Sequence, residues 1–419
     1  MKTKAIIADL SQQLEIPNFK PTRAAGLARL AQFAERTGDL YDRCRNYDLG
    51  PEHRANVSAL SPWIRHRLIT ETEVLTATLD AHFFNTSERF VHEVFWRTYF
   101  KGWLEHHPTV WSAYQAGLLR QLKSAGKDRR LAANYAAAMV GETGIDGFDD
   151  WTKELLTTGY LHNHARMWFA SIWIFTLGLP WELGADFFLR HLMDGDPASN
   201  TLAWRWVAGI QTKGRPYVAR VSNISKFTDQ RFSPLHQLNT KVEPLSEEAD
   251  HQRHPLPNAA TSAEIKGDYL LLVTEDDMQV EETLPHPHAA KIGALATTGR
   301  SPLLIGSIAQ AFARDATRDA CTGAQIIEHE IWAADIIAAC QTHNLKTVVT
   351  GYAPVGPVAT KLVAMDPALQ AEGIKLFQVR RAFDTVAWPH ATKGFFAMKK
   401  GIPRVLEKLG LSYVQKRSR

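Results

Sequence analysis

The stretch His191–Gly209, HLMDGDPASNTLAWRWVAG, sets Asp194, Asp196, Asn200, Trp204 and Trp206 within thirteen residues. Carboxylates and an amide can hydrogen-bond the edge of a polar ring, while indoles supply flat apolar walls and can carry single electrons. Such a run has the means to bind a redox cofactor. The plainer reading is a DGD turn followed by a Trp-rich core helix, and the segment alone does not separate the two.

At 419 residues the chain exceeds a usual single core, which predicts two domains, and its 45% hydrophobic content excludes a largely disordered chain. Aromatic side chains bury large areas, so most of the twelve Trp must simply pack. A formal net charge of +4 permits a polyanionic partner without demanding one. Cys44, Cys321 and Cys340 have no metal-like spacing, which predicts a reducing compartment and argues against a disulfide framework or a four-cysteine iron–sulfur site. Met1 is followed by Lys2, Lys4 and a short apolar stretch broken by Asp9, too short and too polar for a signal peptide or membrane span. The expectation is a cytoplasmic protein with no membrane partner.

Two textures divide the chain. From about Pro21 to Gly209 the apolar positions recur mostly at helical spacing, in segments such as Ala24 to Thr37, Glu71 to Ala81, Ser87 to Glu105, Leu155 to Leu177 and Ala185 to His191. Residues 233–264 are rich in Pro, His, Asn and Ser, a linker composition. Beyond them Tyr269 to Val273, Thr347 to Val349 and Ile374 to Val379 read as buried strands, separated by helical segments around Ile326 to Cys340 and Pro357 to Met365. The predicted fold is therefore a mainly helical domain over residues 20–232, a linker, and a small α/β domain over 265–419 that closes with a basic amphipathic helix. Neither GxGxxG nor a Walker loop is present.

Within the helical half, Phe90, Glu93 and Arg97 stand at i, i+3 and i+7, an aromatic, an acid and a base along one helical face with Trp96 beside them. Asn163 and Arg166 share a second face, next to Met167. Each face alone is compatible with ordinary satisfied polar groups. Together with the DGD segment they gather planar hydrogen-bonding groups and aromatic walls in one predicted core, where unpaired polar atoms are costly.

At this point residues 23–232 resemble the helical flavin-binding domain of the photolyase and cryptochrome family. The resemblance rests on NVSALSPWIRH (Asn56 to His66), HEVFWRTYF (His92 to Phe100), GETGIDGFDDWTKELLTTGYLHNHARM (Gly141 to Met167) and FLRHLMDGDPASNTLAWRWVAG. Their order and separations match as well, with Asn163, Trp181 and Trp204 standing 18 and 23 residues apart. It implies FAD as cofactor. Tyr41, Ser58, Leu60 and Ser61 match positions that hold the flavin's phosphates and ribityl chain, although Val57 and Ala59 replace the common Thr and Arg. Phe90, Glu93 and Arg97 match residues lining the flavin pocket; Asn163, Arg166, Asp194, Asp196 and Asn200 match those around the isoalloxazine and adenine. Arg166 with Asp194 is expected to form a buried pair, and Asn200 to offer a neutral amide to the ring nitrogen that changes protonation on reduction.

The activity implied is light-driven electron transfer from reduced FAD to a pyrimidine dimer in DNA, splitting of the cyclobutane ring, and return of the electron. Glu93, Trp96 and Asn200 match the catalytic positions. Trp96, Met167 and Trp206 match the walls that receive the flipped lesion, and His164 stands where an Arg often touches DNA phosphate; Arg205, Lys213 and Arg215 are candidates to compensate. Trp204 and Trp181 match the first two members of an electron-transfer chain, whose third member is missing near Ala138; Tyr135, Trp151 and Trp173 are the candidates for its place. Typical members place an α/β antenna domain before the helical domain, whereas here an α/β segment follows it, either a rearranged or replaced antenna-like fold or an unrelated module. The alternative function is a cryptochrome-like blue-light photoreceptor without repair activity, which would call for a protein partner.

Overall fold

We describe the computed structural model of the chain over residues 17–411, 413 and 414; the stretch Met1 to Asp9 lies outside the described residues. The helical half forms as the periodicity predicts where local signals agree with packing. Helix Glu71–Ala81 has the predicted bounds because Thr70 and Glu73 cap each other's backbone at its start. The long helix Phe84–His106 buries residues such as Val91, Phe95 and Gly102 along much of its surface, so it runs through the interior rather than over it. The predicted helix Leu155 to Leu177 is interrupted. Helix Phe148–Thr158 stops at Gly159, left-handed at φ 65°, and a new helix, Asn163–Ser171, starts on the His162 cap before ending in a π-helical turn, Ile172–Thr176.

Five parallel strands make one sheet in the order β3-β2-β1-β4-β5: β1 Leu270–Thr274, β2 Ala290–Ala294, β3 Gln325–Ile327, β4 Thr347–Gly351 and β5 Lys375–Val379. β1, β4 and β5 coincide with the predicted runs. β2 and β3 do not appear in the prediction, because AKIGA has weak strand preference and QII is only three residues long. Backbone pairing supplies what their side chains lack, with Leu272 opposite both Ile292 and Thr350. β1 is buried on both faces. Leu271 and Val273 join the core of the helical half, whereas Leu270 and Leu272 join a separate cluster with Ile336 and Leu362.

The expected single basic closing helix is corrected to four short pieces, Ala382–Ala387, Trp388–His390, Phe395–Lys399 and Ile402–Lys408, with Pro389 inside the second and Gly394 and Gly401 before the third and fourth. The first three pack on helix Phe84–His106 of the first half, and Ile402–Lys408 packs on Ala382–Ala387. A Cβ at Gly102 would lie 2.9 Å from the Trp388 ring, so this close docking depends on the glycine. Residues 233–264 carry only a short 3-10 turn, Ser262–Glu264, and bond to both halves through Leu245 N to Ala208 O and Ala260 N to Gln378 O, each 2.9 Å. Among the described residues no helix is long and apolar enough to cross a membrane.

Candidate cofactor site

A cavity of about 290 Å³ opens in the helical half between the loop Val57–Ser61, the middle of helix Phe84–His106, the start of helix Asn163–Ser171 and the DGD turn. The loop is shaped from behind. Arg29 donates to the Ser58 and Val57 carbonyls at 2.9 and 3.0 Å, and burial pushes its guanidinium down to about 10. Ala59 is left-handed at φ 52° and Leu60 right-handed, and Leu60 N lies 3.5 Å from Ser58 Oγ, so the loop turns sharply at the cavity wall.

Asp196 caps helix Pro197–Val207 by accepting from Ser199 N at 2.7 Å, and Pro197 takes the first helical position. The turn is thus a structural cap and a cavity wall at once. Burial alone would raise the Asp196 carboxyl, but Lys101 and Arg65, 3.7 and 3.8 Å away, hold it well below its ordinary value. The expected Arg166–Asp194 pair is present at 2.9 Å, and it outweighs burial to hold Asp194 low as well. Asn200 Nδ2 donates to Ala185 O at 2.7 Å, which leaves its Oδ1 as the acceptor. Arg97 Nη1 and Ser199 Oγ belong to cavity-lining residues and are buried without a partner.

Tyr41, Ser58, Leu60, Ser61, Glu93, Arg97, Asn163, Arg166, Asp194, Asp196 and Asn200 all line this one cavity. Trp96, Met167, Trp206, His164 and Trp204 line it too. Phe90 does not; it supports the wall by packing edge-on against Tyr41 at 5.0 Å. Glu93 pairs with Arg45 at 2.9 Å, and burial raises its carboxyl despite that partner. Arg45 was not singled out in the sequence, since it lies 48 residues away on a turn without periodic pattern. Burial lowers the His164 imidazole, and its ring bonds Asn46 O at 2.9 Å and stacks on Trp168, so it adds little charge at neutral pH. Arg205 is not a free phosphate contact. It is buried and held by both oxygens of Glu247 from the linker, at 2.9 and 2.6 Å.

Trp96 is stacked on Phe395 from the C-terminal segment, with centroids 3.7 Å apart. Trp204 meets Trp173 at 6.2 Å, and Trp173 meets Tyr135 at 6.0 Å; Trp181 meets Tyr114 at 5.7 Å. A Cβ at Gly184 would lie 2.3 Å from the Trp204 ring, so the glycine makes room for this indole. Trp151 turns elsewhere, donating to Asp48 at 3.0 Å, and Ala138 is fully buried.

Residues 90–282 match the FAD binding domain of DNA photolyase, so the helical half is similar to that of the photolyase and cryptochrome family. A deoxyribodipyrimidine photo-lyase of Synechococcus sp. is 28% identical over 204 residues, 47% of this chain and 40% of that protein. Cryptochrome DASH of Gloeobacter violaceus is 29% identical over 225 residues, 52% of this chain and 43% of that protein. The chain thus spans less than half the length of these relatives. A bacterial class III photolyase structure from Agrobacterium tumefaciens is 26% identical, covers 50% of this chain and 43% of its own, and superposes with a TM-score of 0.41. FAD is the cofactor of this domain. The donor set fits it: unpartnered Arg97 Nη1 and Ser199 Oγ, and an amide oxygen of Asn200 left as acceptor for a ring N–H.

Proposed function

We propose that this chain is a photolyase-type lyase that repairs cyclobutane pyrimidine dimers in DNA by light-driven electron transfer. The observation that carries this reading is the Glu93 carboxyl set in the wall of the cofactor cavity among Trp96, Met167 and Trp206. When bound and reduced, FAD supplies the photoexcited electron and takes it back after the ring splits. Asn200 Oδ1 would accept from a ring N–H, and the Arg166–Asp194 pair would hold the polar ring edge. Burial raises the Glu93 carboxyl despite Arg45, which favours the protonated form that can donate to the lesion's carbonyl oxygens, where charge develops. The indoles and Met167 keep water from the flipped lesion. Trp204, Trp173 and Tyr135 offer an aromatic route from the cavity wall, in which Trp173 takes the place of Trp181 and Tyr135 that of the family's missing third tryptophan.

Illumination of the reduced flavoprotein with an oligonucleotide carrying one thymine dimer tests the proposal. Restoration of thymines is expected, and Glu93→Ala should slow it. No restoration with fully reduced FAD would sink the repair reading. In that event the second reading, a photoreceptor without repair, has its own support: Phe395 takes one face of Trp96, and Glu247 neutralises Arg205.

A further inference from the structure

A doubly wound parallel sheet offers its ligand site in the crevice outside the carboxyl ends of its strands, where the strand order reverses. In the order β3-β2-β1-β4-β5 that place lies between β1 and β4, and the chain leaves β1 through Glu275, Asp276 and Asp277. Protein side chains fill the crevice. Arg65 Nη1 donates to Asp276 at 2.7 Å, His66 Nδ1 meets the Glu275 carbonyl at 2.8 Å, and Met278 N donates to the His66 carbonyl at 3.1 Å. Arg67, left-handed at φ 49°, is held by Asp384 at 2.6 Å, with Glu71 and Asp277 within 3.4 Å. A left-handed arginine is unfavourable and persists only where its surroundings over-determine it.

The same turn faces the cofactor cavity's framework. It ends the short helix Ser61–Arg65 that continues directly from the Val57–Ser61 loop. Arg65 Nε donates to Gly195 O at 2.9 Å and His66 Nε2 lies 3.3 Å from Met193 O, both in the DGD turn. One turn therefore joins the Val57–Ser61 loop, the DGD turn and the end of β1.

We propose that the switch-point crevice of the sheet, in place of a soluble ligand, takes the Arg65–Arg67 turn of the helical half, making Asp276 and Arg65 positioning residues for the FAD loop. It rests on the reading of the cavity as the FAD site. The crevice is consequently closed to a second chromophore, and release of FAD is tied to loosening of this anchor.

The test is the rate at which bound FAD leaves the holoprotein on dilution, followed by recovery of flavin fluorescence well below each variant's unfolding temperature. Asp276→Asn should release FAD about tenfold faster or more, the loss expected for one charge-assisted hydrogen bond. Asp276→Glu should restore most of the retention. Asp384→Asn, which touches Arg67 on the side away from the loop, should lower the unfolding temperature with little change in release. If Asp276→Asn does not fold, Arg65→Lys keeps the charge, loses the fork and should also speed release. Wild-type release rates in Asp276→Asn or Arg65→Lys, or equal acceleration in Asp384→Asn, would overturn the anchor while leaving the FAD site standing. A wild-type chain that takes up no FAD would overturn the site itself and the anchor with it.

Discussion

The cofactor cavity and the crevice at the end of β1 lie on either side of the Arg65–Arg67 turn, and both are lined by buried charge. In the crevice each carboxylate has a cation within 4 Å: Asp276 with Arg65, Asp277 with Arg381, Glu275 with Arg300 and Asp384 with Arg67. In the cavity Arg97 Nη1 and Ser199 Oγ have none, and Asn200 keeps an acceptor free. Buried polar atoms are costly when unpaired, and the crevice has some as well: Arg67 Nε and Arg300 Nε and Nη1 are buried without a hydrogen-bond partner. What separates the two is space: the cavity's open groups line a volume of about 290 Å³, whereas the crevice holds the Arg65–Arg67 turn.

The comparison breaks most visibly in the crevice. Asp277→Ala strips Arg381 of both its hydrogen bonds, at 2.6 and 2.7 Å, and should cost about 3–5 kcal/mol of stability in urea unfolding of the FAD-free protein. A loss under about 1 kcal/mol would mean that the joint is looser than its geometry.

Acid should reach both sites. Burial pushes His66 down to about 3 and His162 down to about 4, below the ordinary imidazole value of 6.5. Both are neutral when folded and take up protons on unfolding, so their contribution is complete above about pH 6.5 and is lost as pH falls toward their folded values. Two such groups predict a loss of about 3 kcal/mol between about pH 6.5 and about pH 5. Stability flat over that interval would show that neither ring is buried neutral.

Cavity substitutions should behave the other way round. Arg97→Gln is expected to weaken FAD about ten- to a hundredfold, by titration followed in flavin absorbance, while the FAD-free protein holds its stability or gains some. Ser199→Ala should be smallest, an affinity loss of a few-fold at about 0.5–1.5 kcal/mol with no stability cost, since its hydroxyl has no partner to lose. A stability loss in either variant matching that of Asp277→Ala would erase the distinction between the two sites.

Much of the cavity was legible because its parts lie on short stretches with local rules. Asp196 caps a helix whose later turns carry Asn200 and Trp204, and Glu93, Trp96 and Arg97 share one helix. The Arg166–Asp194 pair, which spans 28 residues, was predictable only through the family resemblance and not from any local spacing. Arg45, the Glu247 clasp on Arg205 and the Phe395 stack on Trp96 were not legible. Each joins segments with no periodic relation, and the division of the C-terminal helix into four pieces decided where Phe395 would land.

By itself the sequence determined the helical texture of the first half and the three hydrophobic strands, since helix period, strand burial and caps act over a few neighbours, and the resemblance it carries picked out residues that the structure gathers in one cavity. Tertiary structure alone decided the strand order, the two weak strands and the closing of the crevice. Arg65 and Asp276 are 211 residues apart, and which acid meets which base across such a span depends on how whole layers pack, not on any local spacing.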